Sequence, residues 1–336
     1  MKDIANDLNL SRTTVSICLS GKAPLYKISP VTEKRVIEYA EKIDYMPNFV
    51  ATLLKTGQTK EIGLFFNETL STSNHINALR HAVTKISSAA RKYYIQHYQD
   101  ETFLRSLREI KSRGISTVIV VGCNSTAINW VEQLSPYLKE MSVYLLDYSF
   151  PAKTESVPNL YRIGVDREKV FRGIFEYLYC LGHRKIVIDR EPNSLKGRCF
   201  QAFLRDHSLP HLASCHLARG GDLEDNFSFG KNVAAEVLRL HQEDGVTAVS
   251  IHDDEAATGL IASLEKSGVR VPDDISVIGF DNIKGSEYFK IPLTTVDVFL
   301  DKMMDWALGA ILDKRKIAND MIIDGEIIER ASVEKL

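Results

Sequence analysis

Residues 2–22 read KDIANDLNLSRTTVSICLSGK, and the spacing inside this stretch decides how the N-terminal end folds. Ile4 and Leu8 fall at helical spacing with the small Ala5 between them, which predicts a short first helix. Asn9-Leu10-Ser11 interrupts it. Asn tolerates the left-handed backbone that a tight turn needs, and Ser11 is a good N-cap for a second helix. That helix, over Arg12–Leu19, sets Val15 and Leu19 on one face with Cys18 beside them, leaving Arg12, Thr13, Ser16 and Ile17 elsewhere. Two short helices across a three-residue turn make a helix-turn-helix, whose second helix begins with the side chains that reach base edges in a major groove, here Arg12 and Thr13. A third helix is expected from Ser29 as N-cap and Pro30 at the first helical position, with Val36, Tyr39, Ala40 and Ile43 as its apolar stripe. The same spacing would also serve any three-helix packing unit.

Charge separates along the chain. The 336 residues carry 42 Lys+Arg against 44 Asp+Glu, a balance that taken whole argues against nucleic acid. The first 60 residues, however, hold nine basic and six acidic residues, against 33 and 38 in the rest. A small basic head on a larger acidic body is the pattern of a chain with two kinds of partner. Apolar residues make up 44% and charged residues 26%, so there is enough core material for two or three compact units and no case for disorder. No apolar run approaches the roughly 18 residues of a membrane span. The opening MKDIANDLNLS has acids and no apolar h-region, so a secretory signal is not expected. Five cysteines without a CxxC spacing predict reduced thiols in a cytosolic protein rather than a disulfide frame.

Lys2-Asp3-Ile4-Ala5, then Leu10-Ser11-Arg12-Thr13-Thr14-Val15-Ser16, then Leu19-Ser20-Gly21-Lys22 resemble the lactose-repressor (LacI/GalR) family of bacterial transcription regulators. So do Tyr45-Met46-Pro47-Asn48, Val50-Ala51, Leu54 and Thr56-Gly57, with Lys60-Glu61-Ile62-Gly63 opening the next domain. The resemblance implies a DNA-binding domain over residues 1–46, a hinge helix and linker over 47–59, and an effector-binding and dimerisation body over 60–336. It implies DNA contacts by Ser11, Arg12, Thr13, Thr14, Ser16 and Ile17 in the head, and by Asn48, Val50, Ala51, Leu54 and Lys55 in the hinge. Leu54 matches the leucine that wedges into the central base step, trading a few kcal/mol of unstacking for bent DNA and extra contact. Val50, Leu53 and Leu54 would also suit a short amphipathic linker, but the neighbouring motifs favour the wedge. Ile17 stands where the family usually has a polar or basic residue; it could meet a thymine methyl or only pack. Thr52 stands where arginine is common, and the loop Ala23–Ile28 is about three residues longer than usual and carries Lys27.

Beyond residue 60 short apolar runs alternate with helical stretches. Glu61–Phe66, Tyr93–Tyr98, Thr117–Val121, Val143–Asp147, Ile163–Val165, Lys185–Asp189, Cys215–Leu217, Val246–Ile251 and Ile275–Phe280 read as strands. Helices are expected between them, including Phe103–Ser112, Thr126–Leu138, Arg167–Leu181, Gly197–His207 and Glu255–Lys266. Such alternation predicts doubly wound parallel sheets, and this length suits two lobes. Gly182-His183-Arg184-Lys185-Ile186, Val271–Asn282 and Pro292–Val296 extend the resemblance through the C-terminal lobe. It implies a periplasmic-binding-protein-like α/β body, with the chain crossing between lobes near 148–162 and 282–298 and an effector in the cleft.

Ligands of open α/β sheets bind outside the carboxyl ends of strands. Asp147, Arg198, Asp253, Asp254 and Asp281 meet that test; Asp254 reads better as a helix cap. By resemblance, Arg198 and Asp281 match the main effector contacts, Asp253 stands where sugar-responsive members often carry Asn, and Asp166 lies near the cleft. The first-lobe loop Thr72-Ser73-Asn74-His75 and Leu223 replace the aromatics that stack on ligand in some members. Fewer aromatics and more acids point to a small, very polar or cation-tolerant ligand, or to no ligand; a sugar or sugar phosphate is the family default, and the acids disfavour the phosphate. An enzyme on the same fold is the competing class, but GxGxxG, Walker A and GxSxG are absent from the sequence. In His252-Asp253-Asp254-Glu255 consecutive side chains point in different directions and would rarely chelate one ion. The expectation is a cytoplasmic bacterial regulator, with no cofactor, metal or catalysis and no membrane. It would act as a homodimer on near-palindromic operator DNA under a small polar effector. The alternative is a solute-binding receptor or enzyme on the same fold.

Overall fold

The computed structural model describes residues 2–19, 23–43, 59–67, 72–123, 128–150, 155–209, 217 and 225–336. It divides into two units, Met1–Thr59 and Lys60–Leu336.

In the first unit α1 (Lys2–Asp7), α2 (Arg12–Leu19) and α3 (Pro30–Lys42) pack around Ile4, Ala5, Val15, Cys18, Ala23, Val36 and Ala40, all buried. Asn9 takes the left-handed backbone (φ 55°), and the Leu10 amide donates to the Ala5 carbonyl at 2.8 Å, closing the turn. Ser11 and Ser29 cap as expected: their Oγ atoms accept the Thr14 and Thr32 amides at 3.0 and 3.1 Å. The Tyr39 hydroxyl donates to Asp7 and ties α3 to the end of α1. Ile43 lies beyond the end of α3 and is exposed, so the buried stripe stops at Ala40.

The first lobe of the second unit is a six-stranded parallel sheet. In chain order its strands are β1 (Ile62–Asn67), β2 (Tyr93–Tyr98), β3 (Thr117–Val121), β4 (Ser142–Ser149), β5 (Leu160–Val165) and β10 (Asp320–Ile323); in space they run β10-β5-β4-β3-β1-β2. Helices α4 (Ser73–Ser88), α5 (Phe103–Ser112) and α6 (Trp130–Leu134) connect the first four strands. β1, β3 and β4 are covered on both faces and almost wholly buried, whereas edge strand β2 exposes Tyr93 and Ile95. Phe65, Tyr98, Phe103 and Trp130 meet edge to face under one side of the sheet. α6 is shorter than the stretch expected to 138, because Pro136 has no amide to continue it.

The second lobe holds α7 (Arg167–Cys180), β6 (Ile186–Ile188), α8 (Leu195–Asp206), α9 (Asn226–Asp244), β7 (Ala248–Ser250), α10 (Asp254–Lys266) and β8 (Ser276–Ile278), with the parallel strand order β6-β7-β8. The Leu217 amide donates to the Ile188 carbonyl beside β6; Cys215 lies outside the described residues. β9 (Thr295–Asp297) pairs antiparallel with β11 (Glu326–Ile328).

The crossings between lobes differ in part from those expected. The crossing expected near 148–162 is not found: β4 and β5, the strands at either end of that stretch, are neighbours in the first-lobe sheet. The chain crosses after Val165, where α7 packs on α8 of the second lobe. It returns after β9 into α11 (Leu300–Leu312), which packs on α4 and β4, consistent with the crossing expected near 282–298. A third crossing joins β10 to β11, after which Ser332 accepts the Val277 amide beside β8.

Candidate DNA-reading helix and ligand cleft

In the head the N-terminus of α2 is built from its cap outward. Ser11 is occupied by the Thr14 amide and lies 2.8 Å from the Thr14 hydroxyl, which fixes the first turn. Arg12 and Thr13 stand exposed on that turn; Thr14, Ser16 and Ile17 are half-buried. Arg12 forms no hydrogen bond or ion pair with the described residues, so its guanidinium is available to an external acceptor. Asn48, Val50, Ala51, Leu54 and Lys55 lie outside the described residues, as does Leu223.

In the body the polar residues converge where the parallel strands of both lobes end. Asp147 is not terminal in its strand: β4 runs on to Ser149, and Asp147 sits at a register shift with φ 59°. It is buried, accepts from Arg167 Nη2 at 2.5 Å and lies 3.4 Å from His75 Nε2. His75 Nδ1 accepts the Thr72 amide at 3.0 Å, so the ring proton sits on Nε2, facing Asp147. Burial pushes the Asp147 pKa up, but the Arg167 charge and then the His75 contacts outweigh it and hold the carboxyl below the usual range.

At the end of β6, Asp189 is buried among donors. Lys196 Nζ lies 2.9 Å from its Oδ1, the His252 amide donates to Oδ2 at 2.9 Å, and His252 Nδ1 contacts the same oxygen. Burial alone would raise this carboxyl; the charges of Lys196, His252 and Arg190 hold it well below normal. Burial lowers the Lys196 pKa, and its partner Asp189 recovers only part of that. His252 Nε2 faces Asn226 Oδ1 at 3.1 Å and Asp253 Oδ2 at 3.2 Å. With an acceptor on each ring nitrogen, His252 is set up as an imidazolium. Burial opposes this, but the two aspartates prevail and raise its pKa.

The helix cap expected of Asp254 falls to its neighbour. Asp253 is the cap, accepting the Ala256 amide at 2.7 Å. Asp254 instead holds the segments that follow β8 and begin β9: it accepts the Ile283 amide at 2.8 Å and the Thr295 hydroxyl at 2.5 Å. Its approach explains Gly279, where a Cβ would sit 2.2 Å from Asp254 Oδ1. Burial drives the Asp254 pKa well above normal.

Asp281 follows β8 with φ 94° and is 8% exposed. Its amide and carbonyl are engaged with the Val296 carbonyl and with Asn74 Nδ2 at 2.6 Å, but its carboxyl accepts no hydrogen bond from any described residue. Burial raises it to about 6; His75 lowers it in part, and the charges of Asp147 and Asp253 add to the rise. The Asn74 bond joins the two lobes, as does the Ser73 hydroxyl donating to Glu255.

Asn74, Asp147, Asp253 and Asp281 are thus brought together. Asp166 is half-buried and accepts the Lys169 amide at 3.0 Å as the cap of α7. Arg198 is exposed and donates to the Asn193 carbonyl; the buried cation of α8 is Lys196. Arg167, Asp189, Lys196 and His252 were not among the expected ligand contacts. His183 is a structural histidine, buried between Thr247 and the Glu334 carbonyl. Among the described residues no group of three His, Cys, Asp or Glu could hold a metal ion, and no helix is long and apolar enough to cross a membrane.

Both units match known proteins. Residues 1–48 match the family described as Bacterial regulatory proteins, lacI family, and residues 175–333 match the Periplasmic binding protein-like domain. The HTH-type transcriptional repressor PurR of Edwardsiella ictaluri (strain 93-146) is 26% identical over 99% of this chain and 96% of its own length. The probable HTH-type transcriptional repressor ExuR of Bacillus subtilis (strain 168) is 26% identical over 100% of this chain and 98% of its own. Among solved structures, the lac repressor dimer bound to operator and the anti-inducer ONPF shares the fold at a TM-score of 0.74, with 19% identity over 99% of this chain and 98% of that one. A lacI-type helix-turn-helix head and a periplasmic-binding-protein-like body on one chain, with repressors as relatives along its whole length, place this protein in the LacI family of bacterial regulatory proteins.

Proposed function

We propose that the protein is a DNA-binding transcriptional repressor that binds a near-palindromic operator as a homodimer and is controlled by a small polar effector in the interlobe cleft. The observation that carries this is Arg12, exposed and unpaired among the described residues, on the capped first turn of α2, on the same chain as a two-lobed body with a buried polar cleft. Arg12, Thr13, Ser16 and Ile17 would meet base edges while Ser11 and Thr14 hold the turn that aims them. The hinge residues Asn48, Val50, Ala51, Leu54 and Lys55 would add minor-groove contacts. One head reads one half-site, so a dimer and a two-fold operator go together. In the body Asn74, Asp147, Asp253 and Asp281 would contact effector, and the three crossing segments would let the lobes close on it. The cleft is read as a binding site rather than an active site, in keeping with relatives that are repressors.

An unbiased duplex selection with the full-length chain tests this. The expected outcome is a near-palindromic sequence bound with steep salt dependence, with Arg12→Ala costing about 1–3 kcal/mol and relaxing preference at one position in each half-site. A selection that enriches nothing sinks the reading.

A further inference from the structure

Among the described residues Arg167, Lys196 and His252 are each engaged with an aspartate, whereas the Asp281 carboxyl accepts no hydrogen bond. Arg167 lies on Asp147; Lys196 is held by Asp189 and the Ser250 carbonyl; His252 is placed between Asp189 on one side and Asn226 and Asp253 on the other. Asp281, 8% exposed, accepts nothing at its carboxyl from the described residues and feels the charges of Asp147 and Asp253, which His75 and Arg167 offset only in part. A buried donor is also unmatched: Arg167 Nε has no acceptor. A buried carboxylate without donors and a buried guanidinium N–H without an acceptor are each costly, and each is relieved by one ligand atom of the right kind.

We propose that the cleft takes a small cationic ligand, a protonated amine that also carries a hydroxyl or carbonyl oxygen, with the ammonium on Asp281 and the oxygen toward Arg167 Nε. This rests on the effector-cleft reading above and narrows its chemistry. A phosphorylated or carboxylic ligand would bring a second anion to Asp281 with every facing cation already paired. A neutral sugar would satisfy hydrogen bonds but leave the carboxylate charge compensated only in part, by His75 and Arg167, in a buried setting where an opposite charge counts for more than in water.

The experiment is a thermal-shift screen of the full-length protein followed by calorimetric titration. Glucosamine, galactosamine and ethanolamine are each compared with an N-acetylated form and an uncharged hydroxyl parent, alongside glucose 6-phosphate, nucleobases and neutral polyols. At least one free amine is expected to bind ten or more times tighter than both its acetylated and its hydroxyl counterparts. Asp281→Asn, which keeps the shape of the side chain and should melt cooperatively, is expected to erase that difference. Equal or tighter binding of the uncharged counterparts, an amine preference that survives Asp281→Asn, or no binding by any amine each overturns the proposal. If neutral or anionic compounds stabilise the body while the amines do not, the effector cleft stands and only its assigned chemistry falls. If no compound of any class does, the effector reading falls as well.

Discussion

Replacing Lys196 with Met is expected to destabilise the body by about 3–5 kcal/mol, the usual result of leaving one partner of a buried ion pair behind. The Asp189 side chain is fully buried and that of Lys196 is 4% exposed. The ammonium supplies Asp189 with a charge at 2.9 Å and also donates to the Ser250 carbonyl at 2.9 Å. Without it, Asp189 keeps His252 and the more distant Arg190, and the Ser250 carbonyl loses a donor. For a body of this size the loss corresponds to a drop of about 10 °C in melting temperature. Arg198→Ala, two positions along the same helix, should change stability by no more than about 0.5 kcal/mol, because that guanidinium is exposed and reaches only the Asn193 carbonyl. Replacing both partners, Asp189→Asn with Lys196→Met, should recover much of the loss. Calorimetric melting of the three variants checks this; a Lys196→Met protein that melts within a degree of the parent contradicts it.

Asp281→Asn is expected to act in the opposite direction and stabilise the unliganded protein. Burial raises the Asp281 carboxyl from an ordinary 3.8 to about 6, a difference equivalent to about 3 kcal/mol. For an acid whose folded pKa is raised, the associated stability is complete below about pH 4 and is lost as the pH climbs through about 6. At pH 7.5 the wild-type chain therefore carries an ionised, buried carboxylate that Asn removes, and at pH 4 the two proteins should melt alike. Melting both at the two pH values measures the difference directly. An Asn variant less stable than wild type at pH 7.5 would mean that Asp281 has donors in solution. A group that weakens the free protein and lies among the cleft's other polar residues is the kind of compromise expected of a binding site.

The head was legible because its signals are short-range. Ser11 and Ser29 cap the helices they precede, Asn9 takes the left-handed turn, and the buried residues follow helical spacing within a few turns. β2, β3 and α5 were legible to the residue for the same reason. The third crossing was not: β10 (DMII) and β11 (EII) are short and half-exposed, and what makes them strands is pairing with β5 and β9, far away in the chain. In the cleft the strand-end rule found Asp147, Asp253 and Asp281 but could not assign their partners. Which of Asp253 and Asp254 caps α10 depends on a one-residue shift in where the helix starts, and two carboxylates side by side give the sequence no way to choose. Lys196 and Arg198 are two residues apart on a helix and so face very different directions; the fold buries the lysine against Asp189 and leaves the arginine exposed. Arg167 and His75 have meaning only across the space that Asp147 shares with them.

Ligand in the cleft is expected to change how the chain holds its operator. The most direct measurement is the affinity of the full-length protein for its selected operator at fixed salt, with and without a saturating compound that stabilises the body. A coupling of about 1–3 kcal/mol predicts a change of roughly 5- to 150-fold, as tighter or weaker binding. Operator affinity that stays the same within twofold, while the compound demonstrably occupies the cleft, would contradict the account.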